Sequence, residues 1–195
     1  MPSFITPGVK VWPKLKKSIT ALPEEKNMLI LGIDPGTATT GYGLIESNRG
    51  LMQVVNFGLI ETDKEASVGK RLENIYKQIS FLLKHYSPGV MAVEKLFFAT
   101  NAKTAMAVGQ AQGVMYYAAS RCNIKVVEYA PGTIKKIVAG DGRADKKMIQ
   151  KSLRKIFGAK IRSRVRKKTH FDNAADALAV AVCHVMMAKG GEKYG

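Results

Sequence analysis

The chain is short of long apolar runs, of cysteine and of acid, and each shortage narrows what it can be. No apolar stretch approaches the roughly 20 residues a membrane-spanning helix requires, and residues 1–27 lack the apolar core of a secretory signal. A cytoplasmic protein is expected, with no membrane partner. Cysteine occurs twice, at Cys122 and Cys183, without metal-ligand spacing. That excludes a thiolate metal site, and the apolar surroundings of both point to free buried thiols rather than a disulfide. No internal repeat is visible. Acidic residues number 15 against 31 Lys and Arg, a formal charge of +16. The imbalance is local: between Pro131 and His170 fourteen basic residues face only Asp141 and Asp145, an excess of twelve. A one-signed excess of this size in one region implies a polyanion, and nucleic acid before a membrane surface, because the segment carries no interfacial aromatic belt.

With 195 residues and 46% hydrophobic content, the chain suits one domain with a substantial core. Residues 1–27 carry Pro2, Pro7, Pro13 and Pro23, five Lys and two Glu, and no sustained periodicity, which reads as a basic, flexible extension. Residues 28–189 form the folded domain and 190–195 a flexible tail. LILGID, GYGLIES and LMQVVNFGLIET are joined by short turns, as in an antiparallel meander. From Val68, Leu72, Ile75, Ile79, Leu82 and Leu83 recur at helical spacing up to the Ser87-Pro88-Gly89 breaker. VMAVE is a fourth strand, residues 101–121 an alanine-rich helix, and KVVEY a fifth strand. A basic, glycine-containing stretch follows, then an amphipathic helix over about 144–157, a basic loop, and a last helix over about 172–189. Periodicity alone defines an α/β protein with a mixed sheet.

The acids that are present fall at telling places. Asp34 ends LILGI and Glu94 ends VMAV, so each stands at the carboxyl end of a buried strand, where open α/β sheets present ligands. Isolated acids there are costly without a partner. Asp172 and Asp176 are four apart at the start of a helix and share one face. Carboxylates gathered this way repel, and divalent cations with a preference for oxygen, Mg²⁺ or Mn²⁺, relieve the repulsion.

Four blocks, GIDPGTATTGYGLI, AVEKLFFATNAKTAMAVGQAQGV, VEYAPGTIKKIVAGDGRADKKMIQ and NAADALAVAVCH, stand in the order and spacing of the signature segments of the RuvC family of Holliday junction resolvases. The chain resembles that family from about Leu29 to Ala188. The resemblance implies a ribonuclease H-like fold, a mixed five-stranded sheet flanked by helices. It also implies a homodimer that cuts opposed strands of a four-way DNA junction with Mg²⁺, alongside the RuvA–RuvB branch-migration complex. Asp34, Glu94 and Asp176 match the family's catalytic acids. Phosphodiester hydrolysis by two metals about 3.5–4 Å apart would place Asp34 between them, with about two ions per subunit.

At the fourth acid position the sequence departs from the pattern, since Asn173 stands there with Asp172 just ahead. Three readings remain open: Asn173 ligates through its amide oxygen, Asp172 supplies the charge from one position earlier, or Asn173 weakens the enzyme. Asp172 also has a structural role available to it as a helix N-cap. Lys135 and Lys146 match basic positions that in the family contact DNA near the cut, and Arg143 and Lys147 are further candidates for phosphate, against the alternative of a solvated face. Phe97 matches a position that stacks on a base near the crossover, against the alternative of a core residue. The helix with Gly109 and Gly113 resembles the family's dimer-forming helix, against close packing on the sheet.

Competing functions are an actin-like ATPase or sugar kinase, suggested by IDPGT followed by TGYG, a junction-binding module that does not cut, and a related nuclease of structured RNA. Length opposes the first, since such folds need two ribonuclease H-like halves.

Overall fold

The computed structural model describes residues 27–49, 51–96, 102–158 and 168–191. Five strands, β1 (Met28–Asp34), β2 (Thr39–Asn48), β3 (Leu51–Glu61), β4 (Val90–Glu94) and β5 (Lys125–Tyr129), form one sheet in the order β3-β2-β1-β4-β5. The first three make the expected antiparallel meander, while β4 and β5 add parallel to β1. Parallel additions need crossovers, supplied by α1 (Val68–Tyr86) and α2 (Ala102–Arg121). α1 starts where Ser67 caps the Lys70 amide and ends at Ser87, whose positive φ of 48° breaks the helix. This is the mixed, helix-flanked, ribonuclease H-like sheet. The extension over residues 1–27 falls, apart from Asn27, outside the described residues.

Strand alternation divides the core in two. Leu31 and Ile33 of β1 and Met91 and Val93 of β4 pack against α1 and α2. Ile30, Val90 and Ala92 point to the opposite face, under α5 (Lys168–Gly191). Because side chains alternate with period two, Asp34 and Glu94 belong to that α5 face. From Ala174 to Val185 α5 is buried at every position except Asp176 and His184, the pattern of a helix enclosed between a sheet and further helices. Those helices are α3 (Pro131–Ala139) and α4 (Lys146–Phe157).

Three sequence expectations change here. The basic, glycine-containing stretch after β5 contains a helix, α3, opened by Pro131 and closed by Gly140 at φ 83°. The apolar spacing of Ile134, Ile137 and Val138 that seats it is visible in the sequence. The last helix begins at Lys168 rather than Asp172, so Asp172 lies more than a turn inside it and is not its N-cap. Asp172, Asn173 and Asp176 still share one face by their spacing. The same helix runs to Gly191, two residues into the expected tail. The close-packing alternative for Gly109 and Gly113 also fails: a Cβ at Gly113 would meet nothing within 4 Å, and at Gly109 only Leu96 at 3.8 Å. Cys122 and Cys183 are free, as expected, but only Cys183 is buried; Cys122 is half-buried. Among the described residues no helix is long and apolar enough to cross a membrane.

Candidate active site

A cleft of about 360 Å³ opens at the carboxyl ends of β1 and β4, lined by Asp34, Glu94, Asp176, Lys135, Lys146 and Asp145 over an apolar floor that includes Ile134 and Ile149. Its construction starts with two glycines. Gly32 and Gly43 lie opposite each other in the β1–β2 ladder, and a Cβ on Gly32 would come 2.2 Å from the Ala177 carbonyl oxygen and 2.7 Å from the Ala181 amide. On Gly43 it would meet the Leu178 side chain at 2.8 Å. With no side chains there, α5 rests directly on the sheet, one residue past Asp176 and two before Asp34.

The turn after Asp34 is held by hydroxyls. Thr40, fully buried, donates to the Gly36 carbonyl at 2.6 Å. Thr62 donates through its hydroxyl to the Thr37 carbonyl at 2.6 Å and through its amide to the Ala38 carbonyl at 3.0 Å. The Arg71 Nε in turn donates to the Thr62 hydroxyl at 3.0 Å. Three successive carbonyls are thus satisfied, which fixes the exit from β1. Gly36 is required in this turn, where a Cβ would sit 2.2 Å from the Thr39 carbonyl oxygen.

Electrostatics in the cleft follow from burial and like charge. The Asp34 carboxyl is pushed up to about 7, first by burial and then by Glu94 and Asp176, against a smaller pull from Lys146. Glu94 is raised by burial and by Asp176, with Lys135 and Lys146 opposing. Lys146, the first residue of α4, places its Nζ 3.3 Å from Asp176 Oδ2. Asp145 caps α4 by accepting from the Met148 amide at 2.8 Å; it reaches the cleft although the sequence marked it only as a charge. Its signal was available, as an Asp placed directly before an amphipathic helix.

Among the described residues no three acids close into a finished metal cage. The donor set nonetheless suits a hard divalent cation: besides Asp145, which caps α4, three carboxylates and no sulfur or imidazole face one cleft from three elements, with two of them held above their ordinary range until positive charge arrives. Asp172 and Asn173 lie on the α5 turn preceding Asp176, and their side chains are outside the described residues, as is Phe97. Arg143 and Lys147 are exposed and do not line the cleft. Arg143 sits in the α3–α4 loop, its amide donating to Asp141 Oδ1 at 2.9 Å.

A five-stranded mixed sheet with acids at the ends of its first and fourth strands, a third acid on the helix crossing them and a basic wall beside them defines a nuclease of the ribonuclease H-like class. Only one such half is present in the described chain, unlike the paired halves of the ATPases and sugar kinases. Within that class, the chain belongs to the family of the crossover junction endodeoxyribonuclease RuvC, which it matches over residues 30–184. It is 44% identical over 158 residues to the crossover junction endodeoxyribonuclease RuvC of Syntrophomonas wolfei, covering 81% of this chain and 88% of that one. To the RuvC of Moorella thermoacetica it is 45% identical over 161 residues, covering 83% and 93%. In three dimensions it is similar to the T. thermophilus RuvC in complex with Holliday junction substrate, with a TM-score of 0.75 at 29% identity, over 84% of this chain and 96% of that one.

Proposed function

We propose that this chain is a Holliday junction resolvase that hydrolyses one phosphodiester in each of two opposed strands of a four-way DNA junction at the cleft of Asp34, Glu94 and Asp176. The observation that carries the reading is the convergence of these acids, from β1, β4 and α5, beside Lys135 and Lys146. Divalent cations, Mg²⁺ with Mn²⁺ able to substitute and about two per subunit, fit the donor set. When bound they supply charge relief at the phosphate and a nucleophilic water. Asp34, Glu94 and Asp176 would hold them, with Asp172 or Asn173 completing the set from the α5 face they share with Asp176.

Lys135 and Lys146 hold the phosphate at the cleft, with Arg143 and Lys147 along the flanking backbone. Lys146 also neutralises Asp176 before substrate arrives. Phe97 stacks on an unpaired base, a contact worth roughly 1–3 kcal/mol. Two opposed cuts call for two clefts, and so for a homodimer. The outward face of α2, with Met106 at 69% and Tyr117 at 58% exposure on either side of the open Gly113, supports that pairing. In the cytoplasm such a dimer would act with the RuvA–RuvB complex.

The test compares a synthetic four-way junction, a linear duplex of the same sequence and a structured RNA, with and without Mg²⁺. Paired nicks at symmetrical positions, in the junction alone and only with the metal, are expected. Equal cutting of the duplex or the RNA would refute the reading.

A further inference from the structure

One polar side chain is buried where α2 meets the active-site end of the sheet. Gln112 is 7% exposed, among Ala105, Ala111, Met115, Ala118 and Ala119 on the apolar face of the helix. An amide there costs free energy unless its hydrogen bonds are made. Its Nε2 donates to the backbone carbonyl of Glu94 at 2.9 Å.

That carbonyl has a particular need of a donor. The β1–β4 ladder ends at the pair Ile33 and Val93, and the Lys95 amide turns to the other side, donating to the Tyr129 carbonyl at 2.8 Å. The Glu94 carbonyl therefore faces β1, where the position that would continue the ladder is Pro35, which has no N–H. Gln112 takes the place of the missing amide. One turn earlier on α2, Leu96 comes within 3.8 Å of a Cβ built on Gly109, so the helix backs the chain just beyond Glu94 at a second point.

We infer that Gln112 is a positioning residue for Glu94: by holding the last carbonyl of β4 it sets the backbone from which the carboxylate enters the cleft. This rests on the reading that Glu94 holds a divalent cation. Partners that orient a metal ligand are worth about 10–100-fold in metal affinity, so loss of the bond should be read in the metal rather than in DNA binding or folding.

The experiment uses the full chain and two variants, Gln112→Met and Gln112→Leu, both of which fill most of the space without a donor. Ala118→Gly, buried on the same helix away from the cleft, controls for general loosening of α2. Three quantities are measured: melting without metal, Mn²⁺ binding by calorimetry without DNA, and single-turnover junction cleavage across a Mg²⁺ titration. Both Gln112 variants should bind junctions in Ca²⁺ as the parent does, yet need about 10–100-fold more Mn²⁺ or Mg²⁺ for half-saturation, whereas Ala118→Gly lowers the melting temperature with the metal midpoint unchanged. A folded Gln112 variant with the parental metal midpoint overturns the inference. If neither variant folds, the Gln112 side-chain amide resonances of the parent decide, since they should shift as Mg²⁺ is added and an unmoved signal overturns the inference. A parent that binds Mn²⁺ but leaves junctions uncut defeats the resolvase reading instead, and the Mn²⁺ midpoints still judge Gln112.

Discussion

Asp34 carries a large electrostatic cost in the cleft. Its carboxyl is raised from 3.8 to about 7, so the folded chain holds that proton more tightly than the unfolded chain does. The contribution of a group raised in this way is fully present below its unfolded value near 4 and is lost as pH rises through about 7. At about 1.4 kcal/mol per unit, ionised Asp34 costs the metal-free protein on the order of 4 kcal/mol. Asp34→Asn should therefore raise the melting temperature of metal-free protein at pH 8 and leave it nearly unchanged near pH 4, while abolishing cutting and sparing junction binding. Melts at the two pH values and a cleavage assay check this. An Asp34→Asn protein that cuts at the parental rate would remove Asp34 from the site. Protons and cations compete for the same oxygens, so the acid limb of the parental pH–rate profile should move to lower pH as Mg²⁺ is raised.

Between elements, the contact that assembles the site is α5 on β1. A methyl group at position 32 would meet backbone atoms of Ala177 and Ala181 on α5, neither of which can rotate away. Gly32→Ala should cost at least the 1–3 kcal/mol typical of overpacking and lift Asp176 from the cleft. Cutting should fall far more than junction affinity, measured by single-turnover cleavage and gel shift. The same helix carries both candidates for the fourth donor, Asp172 and Asn173. Since α5 begins at Lys168, Asp172→Ala removes no N-cap and should leave stability almost untouched, so a large loss of cutting would assign Asp172 to the metal. Asn173→Asp should then change little. If Asn173 occupies a weakened position, Asn173→Asp should raise the rate by orders of magnitude, because a carboxylate compensates metal charge that an amide cannot. Rates of the parent and both variants, with thermal melts alongside, separate the two.

For the whole molecule the governing quantity is the asymmetry of charge. α3, α4 and the loop between them bear Lys135, Lys136, Arg143, Lys146, Lys147, Lys151, Arg154 and Lys155 against Asp141 and Asp145, on the same side of the sheet as the acids. Junction binding should weaken steeply with salt through counterion release. Neutralising Lys135 or Lys146 should reduce the slope of log affinity against log salt by about one each. Titrations between 50 and 200 mM salt, the span over which such contacts lose most of their affinity, measure it. A salt-independent affinity would end the polyanion reading.

All five strands, α1, α2 and the amphipathic α4 were legible in the sequence, because periods of 2.0 and 3.6 and the Ser87-Pro88-Gly89 breaker are local properties. Asp34 and Glu94 were legible for the same reason, each ending an apolar strand. α3 was missed although Ile134, Ile137 and Val138 stand at helical spacing, because three apolar positions among lysines and glycines make too short a pattern to stand out from the basic stretch. The start of α5 was hidden because residues 168–171 carry no apolar period of their own. What only the tertiary structure decided is where separate segments meet: that Gly32 and Gly43 are the bed of α5, that Asp145 reaches the cleft, and that Gln112, eighteen residues beyond Glu94, caps its carbonyl. Sequence alone determines which residues have the chemistry for a site; contacts between distant segments depend on how closely two backbones approach, and that distance is set by packing rather than by any local pattern.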